Sequence, residues 1–317
     1  MVGNVAGRVS PSAIARERWY VRLRRAKWNG KRIDWSAYLF ILPFLIPFLV
    51  FIVATIGFGA YVSFTDWGII GNPKWVGLAN YVQAFHDPWV PKIWSNTLRY
   101  GLMVVPITTL VALGFALYVN QRWAGSTLAR TIFYAPNAVS VTVIGLVWVW
   151  MLDTQFGLVN QYLGALGVPD IPWLTNPRWV LIGIGIASVW WDVGFNMVVL
   201  LAGLQNIPGE LREAALIDGA SRFQTLRYVV LPLLRPALSL VITLEVIGAL
   251  RVFSQIYIMT NGGPAGASAS VIQYVYQIGF TKYKLGYASA LSLMLFATIL
   301  VITLIQLRLF RDNLQDT

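Results

Sequence analysis

The sequence contains no cysteine and a single histidine. The first absence excludes disulfides, thiolate metal sites and cysteine nucleophiles, and says little about compartment. The second leaves His86 with no ligand cluster around it, so a structural or solvent-facing role is expected rather than metal binding. Charge is scarce too: Asp, Glu, Lys and Arg make up 12% of the 317 residues, against about one quarter in soluble domains. Hydrophobic residues make up 57% and mean hydropathy is +0.64, which places the chain in the membrane class. Its 14 Trp and 14 Tyr suit a chain crossing many membrane interfaces, where amphipathic rings settle at headgroup level.

Six apolar runs approach or exceed the roughly 20 residues needed to cross a bilayer: 36–65, 96–120, 131–152, 180–204, 234–259 and 286–307. The first carries no charge. None alternates with a period of two over about ten residues, as barrel strands would, so the fold class expected is an all-α membrane protein with six transmembrane helices. Pro43, Pro47, Pro106 and Pro136 fall inside these runs, and kinks are expected where neighbouring helices satisfy the freed backbone groups.

Lys and Arg set the orientation. Of the 24, seventeen lie before residue 36, in 121–130, in 205–235 and from Arg308 onward, while the alternate loops hold Lys74, Lys92, Arg178, Lys282 and Lys284. The richer side is read as cytoplasmic. Both termini are then cytosolic, with a basic tail over 1–35, a transmembrane domain over 36–309 and a short tail over 310–317. The net charge of +11 becomes a topology signal that needs no nucleic-acid partner. The tail mixes cations with Trp19, Tyr20 and Trp28; it orients the chain or lies on anionic lipid. It is not expected to be a cleaved signal, because the apolar run after it is twice the length of a signal-peptide core.

The stretch 213–236, EAALIDGASRFQTLRYVVLPLLRP, holds five charges between two apolar runs. Acidic Glu210 and Glu213 follow Pro208 and Gly209, as at a helix start. Gly219 is expected to end that helix, a second short helix to run over 223–229, and Pro236 to open the next span. Small residues on the first helix would let a partner's groove close around it. That shape suits docking better than catalysis.

Glu213, Ala214, Ala215, Gly219, Val229, Leu231 and Pro232 fit the pattern EAA, three residues, Gly, nine residues, an aliphatic, one residue, then LP. This resembles the signature loop of binding-protein-dependent ABC importer permeases, with Val229 in place of the commoner Ile. The resemblance covers 96–309, and the runs YIMTNGGPAGAS and GYASALS look like the carbohydrate-uptake branch. It implies a cytosolic coupling helix between helices 4 and 5, docking on an ATPase dimer through Glu213, Ala214, Ala215, Asp218, Gly219, Ala220, Leu231 and Pro232. It also implies a second, homologous permease subunit and an extracytoplasmic solute-binding protein as partners, in a bacterial or archaeal plasma (inner) membrane. The chain has no G-x-x-x-x-G-K-[ST] loop, and Asn29-Gly30-Lys31 lacks the first glycine and the hydroxyl residue. ATP and Mg are therefore expected on the separate ATPase. This chain is expected to bind no cofactor and to be no enzyme.

Polar residues inside the spans are costly and normally face a cavity or a partner. Ser188, Asp192 and Asn196 are four apart and share one helical face. Glu245, Gly248, Val252 and Gln255, with Arg251 at the edge, share another on the fifth helix. Two readings stand: a hydroxyl-binding pathway with Trp190, Trp191 or Phe195 as flat walls, or pairing of Asp192, Glu245 and Arg251 that holds the bundle together. The charges lean to pairing. Asn196 and Gln255, which both donate and accept, lean to substrate. Rival classes are a secondary transporter, for which no inverted halves are visible, and a scaffold subunit without transport. Within the importer class a polyol or glycerol-phosphate substrate is the alternative to a saccharide, and Arg251 alone is little cationic charge for a dianion.

Overall fold

The computed structural model describes residues 35–312 apart from Ile69 and Arg122; the basic tail before Trp35 and the last five residues, with the expectations placed on them, lie outside the described residues. Contacts divide the chain between Gly57 and Phe58. Before the division lie α1 (Trp35–Phe48), with Pro43 and Pro47 inside it, and a π-turn (Leu49–Val53). α2 (Ala54–Ser63) follows in sequence, and Phe40–Ser63 is the first stretch long and apolar enough to span.

A two-stranded antiparallel hairpin follows, β1 (Thr65–Asp66) with β2 (Lys74–Trp75), in which Thr65 opposes Trp75 and Asp66 opposes Lys74. It is joined through α3 (Ala79–His86) to α4 (Trp89–Val119), the second span. His86 there donates from Nδ1 to the Val82 carbonyl at 2.8 Å, a local contact within the helix.

The third expected run is not one helix. α5 (Ser126–Tyr134) and the 3-10 turn Ala135–Ala138 meet α6 (Val141–Met151) at an angle of 98°. Pro136 supplies no N–H to continue the ladder, and Ser140 caps the new helix by accepting from the Thr142 N–H. After α7 (Leu158–Ala165) comes α8 (Val180–Gln205), an unbroken helix that packs along much of α4. Gly194 lets it approach the Phe133 carbonyl so closely that a Cβ would overlap it, the small-residue packing that membranes use where burial of apolar area drives little.

The fifth run departs as well. The helix that carries it begins earlier, at Arg222, and stops at Leu250, with Arg251 as its C-terminal cap. Residues 251–253 leave helical geometry before α12 (Ser254–Met259), so the expected continuous span over 234–259 is broken. A loop then leads to α13 (Val271–Tyr276), a π-turn (Gln277–Thr281) and the last span, α14 (Leu285–Asp312). The described chain therefore has five continuous spans and one bent pair, in an all-α architecture apart from the small hairpin.

Three buried clusters hold it together. One centres on Tyr100, Trp148, Ile184 and Ile256; another, on Met197, Leu200, Leu204 and Leu234, lies toward the 205–235 loop. The third, around Ile93, Tyr274, Tyr287 and Leu291, lies at the opposite end.

Candidate functional site

The break in the fifth span borders a polar cavity. It measures about 310 Å³ and is lined by Tyr100 and Val104 from α4, by Trp191, Asp192, Phe195 and Asn196 from α8, and by Leu244, Glu245, Gly248 and Ala249 from the helix ending at Leu250. The break itself, Arg251, Val252 and Phe253, and the start of α12, Ser254 and Gln255, complete it. Six of the seven expected pathway residues meet here: Trp191, Asp192, Asn196, Glu245, Arg251 and Gln255. Ser188 does not. It is fully buried, and its hydroxyl is spent on the Ile184 carbonyl one turn back at 2.9 Å.

Irregular backbone at membrane depth survives only where it is buried in protein or lines a cavity, and here one carbonyl at each break is caught by a side chain. Trp191 Nε1 donates to the Val139 carbonyl at 3.2 Å, at the bend between α5 and α6. Ser270 Oγ donates to the Val252 carbonyl at 2.7 Å. Asn196 is 1% exposed, and its Nδ2 donates both to the Asp192 carbonyl at 3.1 Å and to Glu245 Oε1. The α8 face and the fifth span are thus joined across the cavity wall. The expectation that Glu245, Gly248, Val252 and Gln255 share one helical arc fails, because the helix ends between Gly248 and Val252; the break brings them to one cavity by a different route. Tyr100, 3% exposed, was missed in the sequence, where a lone Tyr in an apolar run gives no signal.

The 205–235 loop folds as a helical elbow. α9 (Gly209–Ile217) has Glu210 in its first turn and no buried residue. Gly219 ends it at φ +82°, with its N–H on the Leu216 carbonyl at 3.1 Å and the Ala220 N–H on the Ala215 carbonyl at 2.9 Å, a left-handed closure that glycine takes without strain. Ser221 and Gln224 then form a reciprocal capping box that starts α10 (Arg222–Thr225). No stop follows. A π-turn (Leu226–Val230), closed by the Leu231 N–H on the Leu226 carbonyl, feeds α11 (Leu231–Leu250). Proline crowds the carbonyl four residues back, here that of Tyr228, and the ladder widens just before Pro232. The separate helix over 223–229 and the fresh start at Pro236 are therefore replaced by one helix running from Arg222, with Pro236 inside it. Around the tip, Leu216, Ile217 and Phe223 are exposed, Ile217 at 86%.

Comparison with known proteins assigns the family. Residues 106–313 match the family described as binding-protein-dependent transport system inner membrane component. The chain belongs to this family. It is 37% identical over 281 residues to the trehalose/maltose transport system permease protein MalF of Thermococcus litoralis, covering 86% of this chain and 93% of that one. It is 30% identical over 302 residues to the arabinooligosaccharides transport system permease protein AraP of Bacillus subtilis, covering 94% of each. Its fold is similar to a chain in the crystal structure of a bacterial ABC transporter involved in the import of the acidic polysaccharide alginate, with a TM-score of 0.75 at 25% identity over 93% of this chain and 99% of that one. The protein is thus a multi-pass inner-membrane permease component and works in transmembrane transport.

Two runs that resembled the carbohydrate-uptake branch prove to be structural joints of this permease. In YIMTNGGPAGAS, the Ala265 carbonyl accepts from Lys92 Nζ at 2.6 Å and the Gly266 carbonyl from Asn96 Nδ2 at 2.9 Å. In GYASALS, Gly286 lies against the Thr65 carbonyl, where a Cβ would overlap it. Tyr287 of the same run donates to Asp87 Oδ2 at 2.8 Å.

Proposed function

We propose that this permease is one transmembrane subunit of an ATP-driven importer for a neutral sugar or oligosaccharide, and that the cavity at the break of the fifth span is its translocation pathway. The observation that carries the reading is the break of the fifth span at a cavity lined by Trp191, Asp192, Glu245 and Gln255, whose Trp191 also holds the Val139 carbonyl at the bend between α5 and α6. The carboxylates accept hydroxyl hydrogens, Gln255 does both, and Trp191, pinned by its indole nitrogen, offers a flat apolar wall. Asn196 acts through Glu245, whose carboxylate it orients. The named sugars of the relatives agree with this substrate class. A glycerol-phosphate substrate is disfavoured because Asp192 and Glu245 outnumber Arg251 along the wall.

Both termini and the elbow face the cytosol in this reading. Glu213, Ala214, Ala215, Asp218, Gly219, Ala220, Leu231 and Pro232 dock an ATPase dimer that carries the ATP and Mg, and the exposed Leu216, Ile217 and Phe223 are covered by it. A second permease completes the pathway, and a solute-binding protein delivers substrate from outside. Purification of the tagged chain from its own host tests this. A P-loop ATPase and a second permease are expected to copurify, and deletion of the chain is expected to abolish uptake of a labelled saccharide. Isolation of the chain alone, with sugar uptake unchanged in the deletion strain, contradicts the reading.

A further inference from the structure

A second polar pocket, separate in its residues from the pathway cavity, lies where the hairpin and α3 meet the start of α14. Its volume is about 320 Å³, and Asp66, Trp67, Asn80, Gln83, Lys284 and Tyr287 line it. The walls are fixed before any ligand arrives. Asn80, 7% exposed, donates to the Ser63 and Thr65 carbonyls at 2.8 and 2.9 Å, and the Gly286 N–H donates to the Trp67 carbonyl at 3.2 Å. Trp67 Nε1 is held by the Gly71 carbonyl at 3.2 Å, and its ring meets Phe58 edge-on. Tyr287 is tied to Asp87.

On this rigid frame three side chains are left free. Those of Asp66, Gln83 and Lys284 have no hydrogen-bond or ion-pair partner among the described residues. They supply an acceptor, an amide that both donates and accepts, and an ammonium with three donors, beside an indole wall. The two charges cancel, which suits a neutral ligand better than an anion, and one carboxylate is too few for a metal cage. The volume sits at the lower end of small-molecule sites, roughly 300–1,000 Å³, enough for one sugar ring and not for a chain.

We infer that this pocket is a second saccharide contact, taking one ring of a neutral saccharide at the end of the bundle proposed as extracytoplasmic; its ligand class rests on the sugar-importer reading. The two claims separate by 19F NMR of the full chain, labelled with 5-fluorotryptophan, in lipid nanodiscs. Trp67→Phe and Trp191→Phe assign one resonance to each site, and maltotriose and arabinotriose are titrated separately. The expected result is a shift of the Trp67 signal whose midpoint weakens at least three-fold in Gln83→Ala and Lys284→Ala, while the Trp191 response is unchanged. A response at Trp191 with Trp67 silent overturns the second site and leaves the pathway standing. A response at Trp67 alone supports the second site and counts against the pathway cavity. Movement of Trp67 only on addition of sugar-free solute-binding protein makes the pocket a protein contact and overturns the proposal, and silence at both positions overturns both readings.

Discussion

The side-chain amide of Asn196 donates to the Glu245 carboxylate across the wall of the cavity, linking the fourth span to the fifth just before the fifth breaks. Hydrogen bonds between membrane helices contribute about 0.6 kcal/mol on average and up to about 1.7. Asn196→Ala is therefore expected to raise the half-saturation concentration for sugar uptake roughly three- to twenty-fold while complex yield holds. Glu245→Ala, which removes the acceptor itself, is expected to cost at least as much. A collapse in yield with normal transport per assembled complex would show instead that the pair only packs the helices.

Gly219 turns the elbow at φ +82°, where a side chain costs on the order of 1–2 kcal/mol and where no neighbouring atom stands in the way of a Cβ. Gly219→Leu is expected to leave membrane insertion intact and to reduce both sugar-stimulated ATP hydrolysis and uptake. Measured ATPase coupling equal to that of the unaltered complex would remove the elbow from the docking surface.

Asp87 knots the corner before α4 to α13 and α14. Burial alone would raise its pKa, but hydrogen bonds from Tyr274 at 2.7 Å, the Trp89 N–H at 2.9 Å and Tyr287 at 2.8 Å, together with the Lys282 charge, outweigh it and hold the carboxyl below the ordinary value. Burial, together with the hydrogen bond to Asp87 and its charge, raises the Tyr274 hydroxyl. A depressed carboxylate stabilises the fold above its unfolded pKa, about 3.9, and loses that contribution as pH falls through the folded value. Thermal unfolding of Asp87→Asn should thus begin at lower temperature than that of the unaltered chain at pH 7, and the gap should narrow below about pH 4. A gap that widens in acid would reverse the assignment.

Reporters active on one side of the membrane only, fused at Thr317 and within 154–178, should give opposite signals if the cation distribution sets orientation. Matching signals would refute it.

The spans and the elbow were legible because their signals are local. Long uncharged runs, a proline-glycine start before Glu210 and a glycine stop at 219 each act within a few residues. The broken spans were not, since hydropathy reports apolar content and is blind to where a backbone leaves the helix. Nothing in Leu250-Arg251-Val252-Phe253 forbids a helix; the break persists because Ser270, eighteen residues on, takes the Val252 carbonyl, just as Trp191 takes that of Val139 from 52 residues away. The cavity was half-legible for the same reason. Its polar residues stood out against an apolar background, whereas Tyr100 was assembled into it by packing alone.

The absence of cysteine makes the central claim directly measurable, because any thiol introduced is the only one in this sequence. Gly248 lines the cavity, is exposed to it and has open space where a Cβ would be, so Gly248→Cys fits without disturbing the wall. Leu110→Cys, on the apolar exposed face of α4, serves as the control. In membrane vesicles holding the assembled importer, a water-soluble maleimide should label Gly248→Cys rapidly and Leu110→Cys hardly at all, and transported sugar should slow labelling at Gly248→Cys. Equal and slow labelling at both positions, unchanged by sugar, would contradict a water-filled sugar pathway at the break of the fifth span.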